Sequence, residues 1–181
     1  MTNQKIEEWF RLYERDITSF LTYYTGSMDV EDLVQETFMI AMKKMSGFKK
    51  QSHPKTWLIS IARNKVVDEY RRRKVWDKIK HLVFRDQRHS NELEEQTIHK
   101  QEIIQLYKAI HQLSPRYKEV VILRGILELT PKEVSEVLKS NVNHVNVLFH
   151  RALKRLREIL VEEGDTNEES AELRRNTENP S

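Results

Sequence analysis

The sequence predicts an all-helical protein of two small domains joined by a linker. Four glycines and four prolines in 181 residues are too few for the frequent turns that sheets and hairpins require. Apolar residues recur at helical spacing before residue 75 and after residue 100, whereas residues 86–96 are almost entirely polar. With 38% hydrophobic and 33% charged residues, two thin cores fit this composition better than one large core.

Three helices are predicted in the first half of the chain. Apolar spacing marks the first over residues 6–24, and Gly26 ends it. Asp29 is the expected N-cap of the second helix, which extends to about Met45 and buries one face. That face carries Val34, Phe38, Ala41 and Met45. The third helix follows over residues 55–74, and a linker is predicted for residues 75–100, of which residues 75–84 either prolong the helix or begin the linker.

The second half predicts a helix-turn-helix. A helix over residues 101–113 is followed by a new start at Ser114-Pro115. Thr130, with proline next and glutamate three residues later, is typical of a capping box. The short helix that it opens ends near Leu138, and a turn then leads to a last helix that ends near Val161. This arrangement places a second helix in a DNA major groove.

The last helix presents polar and basic side chains that can contact bases or phosphates. The candidates are Asn143, His144, Asn146, Val147, His150, Arg151 and Lys154. The core side is expected to hold Val142, Val145, Phe149, Leu153 and Leu156. An ordinary helical hairpin with a solvated basic face explains the same pattern equally well.

The net charge is only +3, so the distribution of charge is more informative than its sum. The basic run at residues 71–74 exceeds what capping of a helix C-terminus needs, which favours phosphate contact. The acidic cluster at residues 29–36 continues past the first helical turn. Favourable interaction with the positive end of the helix dipole is limited to that turn and does not explain the later acidic residues. Trp57 follows a basic loop and is either a core residue or a platform for a base.

Nothing in the sequence predicts catalysis, a cofactor or a metal site. Cysteine is absent, there is no glycine-rich phosphate loop, and the seven histidines are scattered. The polar N-terminus does not resemble a signal peptide, and no apolar run approaches a membrane span. A cytoplasmic, non-enzymatic protein without membrane insertion is therefore expected.

Several of these segments resemble the extracytoplasmic-function (ECF) family of bacterial RNA polymerase sigma factors. Residues 29–38 (DVEDLVQETF) are similar to its polymerase-binding segment, and residues 55–64 (KTWLISIARN) to its segment for the minus-ten promoter element. Residues 113–120 (LSPRYKEV) and 150–157 (HRALKRLR) are similar to the start and end of sigma region 4. The resemblance covers roughly residues 6–163, in the order that the family requires.

The resemblance implies a region 2 helical bundle over residues 1–74 and a region 4 helix-turn-helix over residues 101–163. The linker would be flexible and residues 164–181 a disordered tail. The implied partners are core RNA polymerase, through the clamp helices of its largest subunit and the flap of the second, promoter DNA and an anti-sigma factor.

The resemblance also implies roles for single residues. The polymerase-binding face would comprise Asp32, Gln35, Glu36 and Met39. The minus-ten element would meet Lys49, Lys50, Lys55, Trp57, Arg63, Asn64, Asp68, Arg71, Arg72 and Arg73. The minus-thirty-five element would meet the seven candidates on the last helix.

A stand-alone helix-turn-helix regulator is the alternative function. It would explain the second half equally well but has no need of the acidic face or of the KTWLISIARN helix. The sequence departs from the family at Ser140 and Asn143, which affect the turn, and at residues 146–148 of the recognition helix. These differences bear on which promoter sequence is read rather than on the role of the helix. A protein-interaction module would explain the acidic face but not two separate basic helices.

Overall fold

The computed structural model describes residues 2–48, 52–81 and 98–177, with side chains over 4–48, 52–72 and 103–162. These residues form seven α-helices and no strand, in agreement with the predicted fold class. The helices are α1 (Thr2–Thr25), α2 (Glu31–Lys44), α3 (Pro54–His81), α4 (Ile98–Gln112), α5 (Pro115–Val121), α6 (Pro131–Leu138) and α7 (Val142–Thr177).

Helices α1, α2 and α3 pack against one another around the first core. The predicted stripe of α2 is confirmed at Val34, Phe38 and Ala41, which are buried. Met45 is only partly buried and lies in the 3₁₀ turn that follows the helix. The predicted cap is wrong: Val30 occupies the N-cap position and makes no side-chain cap bond. The backbone N–H of Asp29 instead donates to Ser27 Oγ at 3.1 Å, so this segment forms a turn that precedes the helix.

Helix α7 is longer than the sequence predicts, and α3 includes part of the extension that the sequence left open. Helix α3 continues to His81, through a stretch that contains neither glycine nor proline. Helix α7 continues to Thr177, past Val161 and Gly164. Residues 168–175 are mostly Glu, Ala, Leu and Arg, which are strong helix formers. The polar composition that predicts disorder over residues 164–177 is therefore compatible with a helical backbone.

Helices α4 to α7 enclose the second core, with a wide turn before the helix-turn-helix. After α5, residues Ile122–Ile126 form a π-helical turn, closed by a bond from Leu127 N–H to the Ile122 carbonyl at 2.9 Å. The predicted capping box is confirmed: Thr130 Oγ1 accepts from the Glu133 N–H at 3.3 Å, and the Thr130 N–H donates to the Glu133 carboxylate at 2.8 Å. Both bonds satisfy donors that a helix start leaves unpaired.

The turn between α6 and α7 sets the angle of the last helix. Lys139 adopts the left-handed conformation, with φ 50° and ψ 49°, directly after α6. Asn141 Oδ1 accepts from the His144 N–H at 2.7 Å and so caps the start of α7. The predicted short helix, tight turn and longer helix are all present.

Candidate polymerase and DNA interfaces

The acidic face of α2 is open to solvent. Asp32, Gln35, Glu36 and Met39 are all exposed. They lie opposite the stripe that α2 buries against α1 and α3. Met39 is 52% exposed, so an apolar side chain lies beside the acidic ones. Charged side chains around an exposed apolar residue are suited to a protein partner with a basic rim.

Glu36 has a second role within the fold. Its carboxylate is ion-paired with Lys65 of α3, and the Lys65 ammonium also lies 2.9 Å from Glu69. Hydrogen bonds to Glu36 and then to Glu69 raise the pKa of Lys65. Glu36 therefore ties α2 to α3, and its substitution would disturb the bundle as well as any partner.

One face of α3 carries four exposed polar residues from the minus-ten set. Asn64, Asp68, Arg71 and Arg72 follow helical spacing and are all exposed. Three of them line a small cavity of about 160 Å³ between α2 and α3: Asn64, Asp68 and Arg72. Two guanidinium groups beside an amide and a carboxylate can bind phosphate and base edges together.

Other members of the minus-ten set have partners inside the domain. Lys55 Nζ pairs with Asp16 at 2.7 Å. The Trp57 ring packs against Trp9 and Phe48, with centroids 5.9 and 5.0 Å away. The partly buried Trp57 thus belongs to an aromatic cluster at the edge of the core.

Four members of the minus-ten set remain: Lys49, Lys50, Arg63 and Arg73. Lys49 and Lys50 lie outside the described residues, and Arg73 is described only as part of the backbone of α3. Arg63 is partly buried, and its partner comes from the second domain.

All seven candidates on α7 are exposed: Asn143, His144, Asn146, Val147, His150, Arg151 and Lys154. Val142 and Leu153 were predicted to face the core, and this prediction is wrong, since their side chains are 39% and 41% exposed. The prediction is confirmed at Val145 and Leu156, which are buried, and Phe149 is partly buried. Ala152 and Ile159 are buried as well. At about 100° per residue, Val142 and Leu153 lie about 60° and 80° from Val145 around the helix, so both fall at the edge of the buried stripe.

The two domains contact each other directly through polar bonds. Arg63 Nη2 donates to Glu119 Oε2 at 3.0 Å, with side-chain exposures of 22% and 9%. Thr56 Oγ1 donates to Glu133 Oε1 at 3.3 Å. Burial opposes ionisation of Glu133, but the bonds from Thr130 and Thr56 lower the pKa of its carboxyl.

The C-terminal end of α1 accepts two further bonds from the second domain. Lys118 Nζ donates to the Tyr24 carbonyl at 2.9 Å and lies 4.8 Å from the centroid of the Tyr24 ring. Tyr107 Oη donates to the Thr22 carbonyl at 3.3 Å. Burial lowers the pKa of Lys118. Burial, and then the charge of Glu119, raise the pKa of Tyr24 to about 12, so its hydroxyl stays protonated.

A cleft of about 520 Å³ lies between the domains beside these bonds. Arg63 and Arg71 line it from α3, and Arg116, Lys139 and His144 from the second domain. Sequence reasoning missed Glu119 and Lys118 as interdomain residues. Helical periodicity finds a buried position but does not say which domain covers it.

Comparisons with known proteins match both halves of the chain. The family model for Sigma-70 region 2 matches residues 9–75, and the model for Sigma-70 region 4 matches residues 103–156. The ECF RNA polymerase sigma factor SigX of Bacillus subtilis is 30% identical over 177 residues, which cover 87% of this chain and 88% of SigX. SigM of the same organism is 31% identical over 159 residues, covering 84% and 93%.

Solved structures of sigma factors share the fold. RpoE from Bartonella quintana, in complex with the anti-sigma factor NepR, superposes with a TM-score of 0.72 at 24% identity, covering 87% of this chain and 97% of RpoE. CnrH in complex with the cytosolic domain of CnrY gives 0.66 at 21% identity, covering 88% and 90%. No helix among the described residues is long and apolar enough to cross a membrane. With both regions matched in order, the chain belongs to the ECF RNA polymerase sigma factors.

Proposed function

We propose that this sigma factor binds core RNA polymerase through the acidic face of α2 and reads promoter DNA with α3 and α7. As an alternative sigma factor it directs transcription initiation, a binding role without catalysis in which DNA specificity comes from two separate helices. One observation supports this assignment of separate roles. The acidic face of α2 and the basic faces of α3 and α7 lie on different helices, and each is exposed.

The minus-ten contacts are assigned to the exposed face of α3. Arg71 and Arg72 lie near the solvent-exposed middle of a long helix, where they would act on phosphates, while Asn64 and Asp68 would meet bases of the opened strand. Lys55 and Trp57 support this surface from within the domain, through Asp16 and through the aromatic cluster.

The closed arrangement of the domains differs from the one that DNA requires. The minus-ten and minus-thirty-five elements are separated by about 25 base pairs, or about 85 Å along B-DNA. Here α3 and α6 are hydrogen-bonded through Thr56 and Glu133. The domains must therefore separate before both elements can be bound together, and Arg63 must leave Glu119 to reach DNA.

An anti-sigma factor would act by keeping the domains closed. The cleft between them offers cationic side chains beside Tyr24, Leu138 and Leu148. An acidic amphipathic helix has the complementary chemistry for such a surface. The cytoplasm is the expected compartment, because core polymerase and promoter DNA are there.

The free chain should bind duplex promoter DNA weakly and bind it well only with core polymerase. Fluorescence anisotropy with a labelled promoter at physiological salt should give a Kd of about 10⁻⁴–10⁻⁶ M for the chain alone. With core polymerase present, the Kd should fall to about 10⁻⁸ M or lower. A duplex of unrelated sequence serves as control. Tight, sequence-specific binding by the free chain would favour the stand-alone regulator instead.

A further inference from the structure

The outward face of α7 has an apolar side chain at its centre. Successive helical residues are about 100° apart, so Val147 lies about 160° from the buried Val145 and about 140° from the buried Ala152. Val147 is 50% exposed. Asn146, in contrast, lies nearer the edge of this face.

Polar donors surround this apolar centre. Asn143 and Arg151 lie one helical turn before and after Val147, on the same stripe of the helix. Together with His144 and Leu148 these residues line a shallow depression of about 310 Å³. Val147 and Leu148 contribute aliphatic side chains to this lining, and the other three residues contribute an amide, an imidazole and a guanidinium group.

We propose that Val147 selects a thymine in the upstream promoter element by contacting its 5-methyl group. This inference rests on the proposed role of α7 as the helix that enters the major groove. Thymine alone among the four bases presents an apolar group there, and aliphatic side chains contact it. Asn143 and Arg151 then bind the neighbouring base edges or phosphates, one helical turn to either side.

Deoxyuridine tests the proposal because it removes the methyl group and leaves base pairing intact. A promoter is first selected from a randomised library with the wild-type holoenzyme. Each thymine of its upstream element is then replaced singly by deoxyuridine, and open-complex formation is measured. One replacement should reduce the rate about fourfold, the effect of losing contact with one methyl-sized group.

The Val147→Ala holoenzyme should form open complexes more slowly than wild type on the thymine template. Its rate should not fall further on the deoxyuridine template that slows the wild type. Val161→Ala is the matched control, since Val161 is 57% exposed on the same helix beyond the proposed contacts, and it should retain the fourfold response. Equal rates on all deoxyuridine templates, or an unchanged fourfold response in Val147→Ala, would overturn the proposal. If the library yields no sigma-dependent transcript at all, the proposed function of the chain fails instead.

Discussion

Charge reversal at Asp32 combined with Met39→Glu should abolish stable association with core RNA polymerase. Both side chains are exposed on α2, and neither contributes to the buried stripe of that helix. Loss of a central interface residue typically costs at least 2 kcal/mol, so the Kd for core polymerase should rise by at least about 30-fold. Size-exclusion co-elution and surface binding to immobilised core polymerase measure the change.

Glu36 is left intact in this design because it pairs with Lys65, so its reversal would place two cations side by side between α2 and α3. Leu12→Glu with Glu14→Lys is the matched control. Leu12 and Glu14 are exposed on α1, and the pair undergoes the same types of charge change. The control should co-elute normally. If an Asp32→Lys/Met39→Glu variant with wild-type helicity still co-elutes with core polymerase, the acidic face of α2 is not the polymerase-binding surface.

Glu119→Gln should shift the free protein from the closed arrangement toward separated domains. The variant removes the charge that holds Arg63 across the interface at 3.0 Å. Hydrogen bonds to charged groups contribute about 1.5–3 kcal/mol and neutral ones about 0.5–1.5 kcal/mol. The side-chain oxygen of the introduced glutamine can still accept from Arg63, so loss of the carboxylate charge should cost about 1 kcal/mol and lower the ratio of closed to open molecules about fivefold. The chain has no cysteine, so dyes can be attached at Leu12→Cys and Arg157→Cys for single-molecule energy transfer.

The matched control for this experiment is Glu158→Gln. Glu158 pairs with Arg155 at 3.1 Å, but both residues lie on α7, so the same chemical change leaves the interface untouched. The control should keep the wild-type distance distribution. A charge-swapped variant, Arg63→Glu with Glu119→Arg, should return to the closed arrangement. That result would show that the effect comes from this pair. Identical distributions for Glu119→Gln and wild type would show that the ion pair does not hold the domains together.

Sequence periodicity predicted most of the helices because each core is made of residues from short, amphipathic segments. The capping box at Thr130 and the turn before α7 were predictable because their chemistry is local to a few consecutive residues. Asp29 was misassigned as a cap because the helix begins one residue later than its side chain suggests: Val30 occupies the N-cap position, and Asp29 lies in the turn that precedes it. The far end of α7 was missed because its polar sequence has no apolar stripe, whereas the sequence left open whether residues 75–84 prolong α3.

The candidate site was predictable only in part. The acidic face and the seven α7 residues were predicted to be exposed because the opposite side of each helix is apolar and packs against the core. The interdomain bonds of Thr56 and Arg63 join residues 77 and 56 positions apart, and no local pattern encodes such pairs. The central position of Val147 emerged only from the buried positions of Val145 and Ala152, since Val142 and Leu153 had suggested a different orientation of the helix.

Run-off transcription tests the central claim most directly. Core RNA polymerase is incubated with genomic fragments of the source bacterium, with and without this chain, and the transcript starts are mapped. The account predicts transcripts that depend on the chain and share sequences about 10 and 35 base pairs upstream of their starts, a spacing of about 85 Å that both α3 and α7 must span. A folded chain that co-elutes with core polymerase yet yields no dependent transcript would contradict the account.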